Sequence, residues 1–338
     1  MHRRWIYRAG TDVVIALCWV PAYVLAHALS TGAIGDDRWL RDVVTWTLIA
    51  SLLHQPITLL LVYGDRGQFA LRRALFTWSP VAAIVVVSIA VGLELWLIVP
   101  IAALWNTVHT VQQRYGLCRI YARKSGYGSA RLDRLLLFSW IGAAAVVAGA
   151  RPSTESQLDR VALGATNADG VRMLTSIRPY AVWLLVPVFA LAIGALAAVV
   201  RQEWQHRAEA NHGKWLYQGA TLTLIVAMIV DPLAGLVAWV IAHSIEYVIV
   251  VQRTMATRYP QPSRSSWLAR TGAGPRRWTV LAGLLAAFLA LHVNLQHRMP
   301  SHLYLDILYT VGVLHFWYDA FIWKMRKPAV AADFGIKT

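Results

Sequence analysis

The chain has little charge and almost no cysteine. Of its 338 residues, 14% are charged, and the two cysteines are Cys18 and Cys118. Two cysteines in or near apolar runs exclude a disulfide framework and a cysteine-based metal site. The low charge, with 57% hydrophobic residues and 16 tryptophans, excludes an ordinary soluble domain. The composition predicts a polytopic membrane protein.

Long apolar runs lie between clusters of charge along the whole chain. A membrane-spanning helix needs about 20 mainly apolar residues, and ten segments meet this need. Their approximate cores are residues 13–29, 43–63, 75–93, 95–117, 135–150, 180–200, 215–230, 233–251, 279–295 and 303–323. We therefore predict an all-α, polytopic transmembrane helical bundle of about ten spans. Residues 1–338 are expected to form a single integral membrane domain.

Basic residues outnumber acidic ones by 32 to 17, which gives a net charge of +15. If the N-terminus is inside, 25 of the 32 cations fall on the inner side, as the positive-inside rule requires. Both termini are therefore predicted to be cytoplasmic, and the protein is expected in a bacterial inner membrane. Topology and anionic lipid headgroups account for the charge, so no nucleic-acid partner is expected.

The loops are short or polar. The connections at Gly92-Leu93-Glu94 and Asp231-Pro232 predict tight turns between neighbouring spans. The longest outer loop, residues 151–179, is too short for an independent core and is either a lid or a connector. The inner loop 261–275 is rich in Pro, Ser and Gly, which indicates flexibility.

Four histidines lie inside apolar runs at similar positions. They precede inner-end cations by nine to twelve residues and are His54, His109, His243 and His315. At 1.5 Å per residue, this spacing places them roughly 15 Å from the cytoplasmic boundary, close to the bilayer midplane. The depth of His109 depends on Arg114, which must either extend to the interface or mark an earlier end of the span.

Each histidine has a polar neighbour one helical turn nearer the cytoplasm, on the same face of its helix. The pairs are His54 with Thr58, His109 with Gln112 or Gln113, His243 with Glu246 and Tyr247, and His315 with Asp319. Ionisable groups in hydrocarbon cost at least about 2.5 kcal/mol each, so they normally face an interior and serve function. Four imidazoles and two carboxylates suit one or two transition-metal ions.

These residues also have structural interpretations. A single intramembrane histidine often only hydrogen-bonds a neighbouring helix, and Glu246 or Asp319 could pair with a cation such as Lys324. Pro56 predicts a kink that either opens a pocket or shapes packing. A set of inner-end cations either anchors the helices at the interface or binds an acidic redox partner or a lipid headgroup. This set is Arg72, Arg73, Arg114, Arg119, Arg123 and Lys124.

Three segments around the histidines carry further motifs. They read His109-Thr-Val-Gln-Gln-Arg-Tyr-Gly, His243-Ser-Ile-Glu-Tyr and His315-Phe-Trp-Tyr-Asp-Ala-Phe-Ile-Trp-Lys. In these segments the chain resembles a family of bacterial polytopic membrane proteins, a resemblance that covers spans two to ten and implies no activity. In its chemistry the chain is also similar to membrane desaturases and hydroxylases, which use many histidines around iron. Their HxxxH and HxxHH clusters do not occur here, so this similarity implies only the metal chemistry.

The expected function is that of a metal-dependent membrane enzyme with a non-haem centre, favouring two iron ions. The predicted metal ligands are His54, His109, His243, Glu246, His315 and Asp319. Tyr247 and Gln113, or Gln112 in its place, are the predicted catalytic residues that contact ligands or substrate. The expected reaction is oxygen-dependent hydroxylation, desaturation or oxidative cleavage of a hydrophobic or lipid substrate, with a cytoplasmic electron donor.

Three alternatives stay open at this stage. A zinc-dependent lipid hydrolase would lower the pKa of a bound water toward about 7. A proton-coupled transporter would relay protons through the intramembrane His, Glu and Asp residues. A structural or assembly subunit would need none of this chemistry.

Overall fold

The computed structural model describes residues 5–161, 168–324 and 327–336. The chain is 84% helical, and its described residues form no β-strand, which confirms the all-α prediction. Predictions that involve Arg3, Arg4, residues 162–167 of the outer loop or residues 325, 326, 337 and 338 lie outside the described residues.

The helices of the described chain are numbered here in order. They are α1 (Ala9–Leu17), α2 (Trp19–Ser30), α3 (Asp37–Tyr63), α4 (Arg66–Ala70), α5 (Arg73–Gly92), α6 (Ile98–Ser125), α7 (Ala130–Ala150), α8 (Pro152–Arg160), α9 (Ala168–Thr175), α10 (Ala181–Gln205), α11 (His212–Val230), α12 (Pro232–Arg258), α13 (Trp267–Thr271), α14 (Arg276–Arg298), α15 (Ser301–Ile322) and α16 (Pro328–Asp333). Each of the ten predicted spans overlaps one of the long helices or, in the first case, the pair α1 and α2.

Eight helical segments of the described chain are long and apolar enough to cross a membrane. They are α1 with α2, α3, α5, α7, α9 with α10, α11, α12 and α14. The other two long helices, α6 and α15, fall below this measure because polar residues lower their mean hydropathy. Large apolar side chains are exposed on the spans, including Trp78 at 68% and Trp183 at 80%, which suits a lipid environment. These features indicate a multi-pass membrane protein.

The chain divides into two compact units. Of the described residues, unit 1 comprises 5–47, 107–161, 168–245 and 334–336, and unit 2 comprises 48–106, 246–324 and 327–333. The boundary falls within α3, α6 and α12, so each of these helices contributes residues to both units. The prediction of a single membrane domain stays a prediction.

Two of the predicted tight turns are present. In the first, α5 ends at Gly92, and Glu94 adopts a positive φ of 49°, which few residues other than glycine adopt. In the second, the Asp231 carboxylate accepts a hydrogen bond from the Ala234 N–H at 3.1 Å, and Pro232 occupies the first position of α12. An aspartate cap followed by proline is a strong signal for the start of a helix.

In unit 1, α7 packs against α10 and α11. Small residues on α10 permit close approach, since Ala192 and Ala195 are buried, and the Trp140 indole donates to the Ala192 carbonyl at 3.0 Å. Small residues commonly bring membrane helices together in this way. A second cluster joins α2, α3 and α12 through Ala26, Leu40 and Val237.

In unit 2, one apolar cluster joins α3, α5, α12 and α15. Its members include Ile57, Phe76, Val251 and Leu314, and Tyr247, one of the polar residues described below, also belongs to it. The inner loop predicted to be flexible contains α13, which is capped by Ser266 and linked to the end of α3 by a hydrogen bond from Leu268 N–H to the Gly64 carbonyl at 3.1 Å.

Candidate functional site

Four buried polar side chains of unit 2 meet around one threonine hydroxyl. Thr58 Oγ1 on α3 donates to Asp319 Oδ1 at 3.0 Å, lies 2.7 Å from His315 Nδ1 and contacts the Tyr247 hydroxyl. Tyr247 on α12 also donates to Asp319 Oδ1, at 3.2 Å. These four residues are called the Thr58 cluster. It brings together three helices that are distant in sequence.

One tautomer of His315 would suit metal binding. Thr58 Oγ1 lies 2.7 Å from His315 Nδ1, and which of the two atoms donates depends on the tautomer. A proton on Nδ1 would leave the imidazole lone pair on Nε2, the arrangement that a metal-binding histidine adopts when its other nitrogen donates to a neighbour.

His54 is the second histidine of unit 2. It is 2% exposed, and its ring lies 4.9 Å from that of His315 and 5.0 Å from that of Tyr247, measured between centroids. Glu246 is fully buried on the same helix as Tyr247. Within unit 2, the structure therefore supplies two buried imidazoles and two buried carboxylates.

These unit 2 residues could hold a metal ion. Potential ligand atoms of His54 and His315 lie within 4.8 Å of each other, and so do those of His315 and Asp319. Two histidines with one carboxylate form the common ligand set of non-haem iron oxygenases. Asp319 Oδ1 accepts three hydrogen bonds, from Thr58, Tyr247 and Trp323.

The other two predicted histidines lie in unit 1. The rings of His109 and His243 are 5.2 Å apart and nearly perpendicular, and both side chains are buried. Gln113 donates to the His243 carbonyl at 3.2 Å, whereas Gln112 is exposed. Of the two glutamines considered, Gln113 therefore contacts a histidine residue. That all four histidines serve one centre stays a prediction.

Arg114 departs from the expected interfacial position. Its side chain is 1% exposed, its guanidinium stacks 4.6 Å above the Trp239 ring, and it donates to Thr221 Oγ1 at 3.1 Å. Trp239 is itself held by a hydrogen bond to Thr110 at 2.9 Å. The guanidinium thus lies in the interior of unit 1, where an aromatic face stabilises the cation.

Several other residues singled out from the sequence have defined positions in the structure. The Lys324 ammonium lies 4.7 Å from the centroid of the Phe321 ring. Helix α3 continues as one helix through Pro56. Arg119 pairs with Asp133 at 2.6 Å, so this cation serves a contact inside unit 1. The polar segment that the sequence predicts as the longest outer loop forms α8 and α9 on either side of residues 162–167.

One residue that contacts the Thr58 cluster, Trp323, was not predicted from the sequence as part of the site. The Trp323 indole donates to Asp319 Oδ1 at 3.1 Å. The spacing of four residues on a helix could have revealed this contact, because such positions are neighbours. A group in unit 1 was also not predicted, in which buried Lys214 pairs with Glu203, and Glu203 accepts further bonds from Tyr127 and Trp215 at 2.6 Å each.

Comparisons of the chain with protein-family models, with curated proteins and with solved structures find no match. Function is therefore inferred from the residues and their geometry.

Proposed function

We propose that the chain is a metal-dependent membrane oxidase whose non-haem iron centre is held by His54, His315 and a carboxylate of unit 2, either Asp319 or Glu246. The observation that carries this proposal is the buried pair of imidazoles, whose ring centroids lie 4.9 Å apart. In one of them, His315, Nδ1 contacts Thr58 Oγ1 at 2.7 Å, and Nε2 is the nitrogen proposed to bind iron. Imidazole and carboxylate together suit iron, although they also bind zinc.

The surroundings support oxidation chemistry. Ile57, Leu314 and Val251 belong with Tyr247 to one buried apolar cluster, and an apolar surrounding keeps water from reactive species. Bound iron would supply oxygen activation at this site. Tyr247 and Thr58 form a hydrogen-bonded route to the Asp319 carboxylate, which can take or return a proton.

The proposed substrate is hydrophobic, such as a lipid, and enters from the bilayer. Hydroxylation of R–H consumes O₂, two electrons and two protons and yields R–OH and water. The electrons are proposed to come from a donor on the cytoplasmic side. In this proposal the chain has ten spans, with α6 and α15 completing the eight apolar ones, and both termini face the cytoplasm of a bacterial inner membrane.

Metal analysis tests the proposal. Detergent-purified protein should contain one or two iron ions per chain, and His54→Ala and His315→Ala should each remove iron. His297→Ala is the matched control, since His297 is exposed on α14 and should leave iron content unchanged. His109→Ala and His243→Ala test the second histidine pair in the same measurement. Purified protein that contains zinc in place of iron would favour a hydrolase over the oxidase. Purified protein without any metal would contradict the proposed function.

A proton-coupled transporter is the second candidate. The observation that favours it is the continuous hydrogen-bonded chain from His315 through Thr58 to Asp319 and Trp323. Such chains relay protons in membrane transporters. Proton-driven uptake into liposomes by metal-free protein would favour this candidate over the oxidase.

A further inference from the structure

Trp323 and Tyr247 form an aromatic pair beside the proposed iron centre. Their ring centroids are 6.3 Å apart and their planes are nearly perpendicular. Tyr247 in turn lies 5.0 Å from the His54 ring and 5.3 Å from the His315 ring. Tyrosine and tryptophan are the side chains that lose a single electron most readily. The pair therefore extends from the two histidines of unit 2 to the C-cap position of α15.

Both members of the pair share one proton acceptor. The Tyr247 hydroxyl and the Trp323 indole donate to the same oxygen, Asp319 Oδ1, at 3.2 and 3.1 Å. A phenol that loses an electron also releases its proton, and a carboxylate that already accepts a hydrogen bond can take that proton without any movement of the chain. This shared acceptor is what one-electron oxidation of a buried tyrosine requires.

Cations lie near Trp323, the member of the aromatic pair at the C-cap position of α15. Phe321 precedes Trp323 by two residues, and its ring lies 4.8 Å from the Arg72 guanidinium and 4.7 Å from the Lys324 ammonium. Lys327 donates to the Phe321 carbonyl at 3.4 Å. A positive surface raises the local concentration of anionic reductants. Electrons can therefore be supplied to Trp323 from this side.

We propose that Tyr247 and Trp323 carry oxidising equivalents away from the iron centre when no substrate is bound. This inference rests on the proposed function. Tyr247 gives one electron to the oxidised centre, and its proton moves to Asp319. Trp323 then gives one electron to the Tyr247 radical, the proton returns from Asp319 to the tyrosine oxygen, and an anionic one-electron reductant restores Trp323.

The variants Trp323→Phe and Tyr247→Phe test this electron path, and they are designed to leave the fold and the iron centre intact. Phenylalanine keeps the aromatic packing but is not oxidised under these conditions. Trp317→Phe is the matched control, because Trp317 is another indole of α15 and its ring contacts Phe321. Iron content and thermal midpoint, measured first for each variant, identify any protein that has lost its centre or its fold.

The experiment follows radicals by electron paramagnetic resonance after O₂ is mixed with iron(II)-loaded protein, without substrate and with ascorbate as the reductant. We expect a short-lived tyrosyl signal in the wild type and in Trp317→Phe, and a signal that lasts several-fold longer in Trp323→Phe. Tyr247→Phe should lack it.

Two results would overturn the path while leaving the oxidase intact. One is an iron-loaded wild type and Trp323→Phe with tyrosyl signals of equal lifetime, and the other is the absence of any tyrosyl signal in all four proteins. Protein that binds no iron would instead overturn the proposed function itself.

Discussion

Replacing Thr58 by valine removes the hydroxyl at the centre of the Thr58 cluster and keeps the shape of the side chain. The hydroxyl makes three contacts, whereas Tyr247 and Asp319 keep their own bond at 3.2 Å. The loss therefore falls mainly on the 2.7 Å contact with His315 Nδ1 and on one bond to Asp319. We expect a cost of about 2–3 kcal/mol for buried bonds of this kind.

Two measurements check this expectation. The thermal midpoint in detergent should fall by about 5 °C, from a shift of about 2 °C per kcal/mol in a chain of this size. Metal affinity should fall by about 10- to 100-fold, the usual effect of removing a group that orients a ligating histidine. Thr58→Ser is the matched control, because it keeps the hydroxyl and loses one methyl group.

The reasoning would be refuted by a valine variant that binds metal as tightly as the wild type. It would also be refuted by a serine variant as weak as the valine variant. In that case the methyl group, rather than the hydroxyl, would hold the cluster together. Equal stability of all three proteins would show that the hydroxyl contributes no net free energy.

Two further predictions concern regions away from the Thr58 cluster. Lys214→Met should cost about 3–5 kcal/mol, because it leaves the Glu203 carboxylate without its buried cation, and the added change Glu203→Gln should recover part of the loss in a thermal midpoint series. Burial raises the pKa of Asp333 despite its contact with Arg258. The folded chain thus holds this proton more tightly than the unfolded chain. The contribution of Asp333 to stability should therefore fall as the pH rises from its unfolded pKa of 3.8 through its higher folded pKa. The measurement is the protection factor of the α16 amides, that is, their exchange rate relative to the intrinsic rate at the same pH, which should fall over this range. A protection factor that stays constant would contradict the prediction, and Asp333→Asn should show no such fall.

The helices were predictable because long apolar runs and their interruptions are local features of the sequence. The turn at Asp231 and Pro232 was predictable for the same reason, since the aspartate cap and the proline both act on the first turn of α12. The pairing of His315 with Asp319 followed from helical spacing. Thr58 was recognised only as a neighbour of His54, and its contacts with α12 and α15 needed the tertiary structure.

The buried position of Arg114 was not predictable from the residues near it in the sequence. A cation after an apolar run normally marks the membrane boundary, and nothing nearby in the sequence indicates a partner. Trp239 and Thr221 lie on other helices, and their contacts turn the guanidinium inward. Lys214 and Glu203 pose the same difficulty, because both lie among several charged residues in one short stretch of sequence, and only packing selects this pair.

The interleaved composition of the two units has a consequence for biogenesis. Thr58 and His315 are 257 positions apart, and the residues between them include most of unit 1. During synthesis, α3 therefore enters the membrane long before α15 exists. Until α15 is made, His54 and Thr58 lie among lipid or other helices, without the His315 and Asp319 side chains. A nascent chain stalled before α15 would present a polar stripe in hydrocarbon, a feature by which quality-control factors can distinguish it from the finished protein.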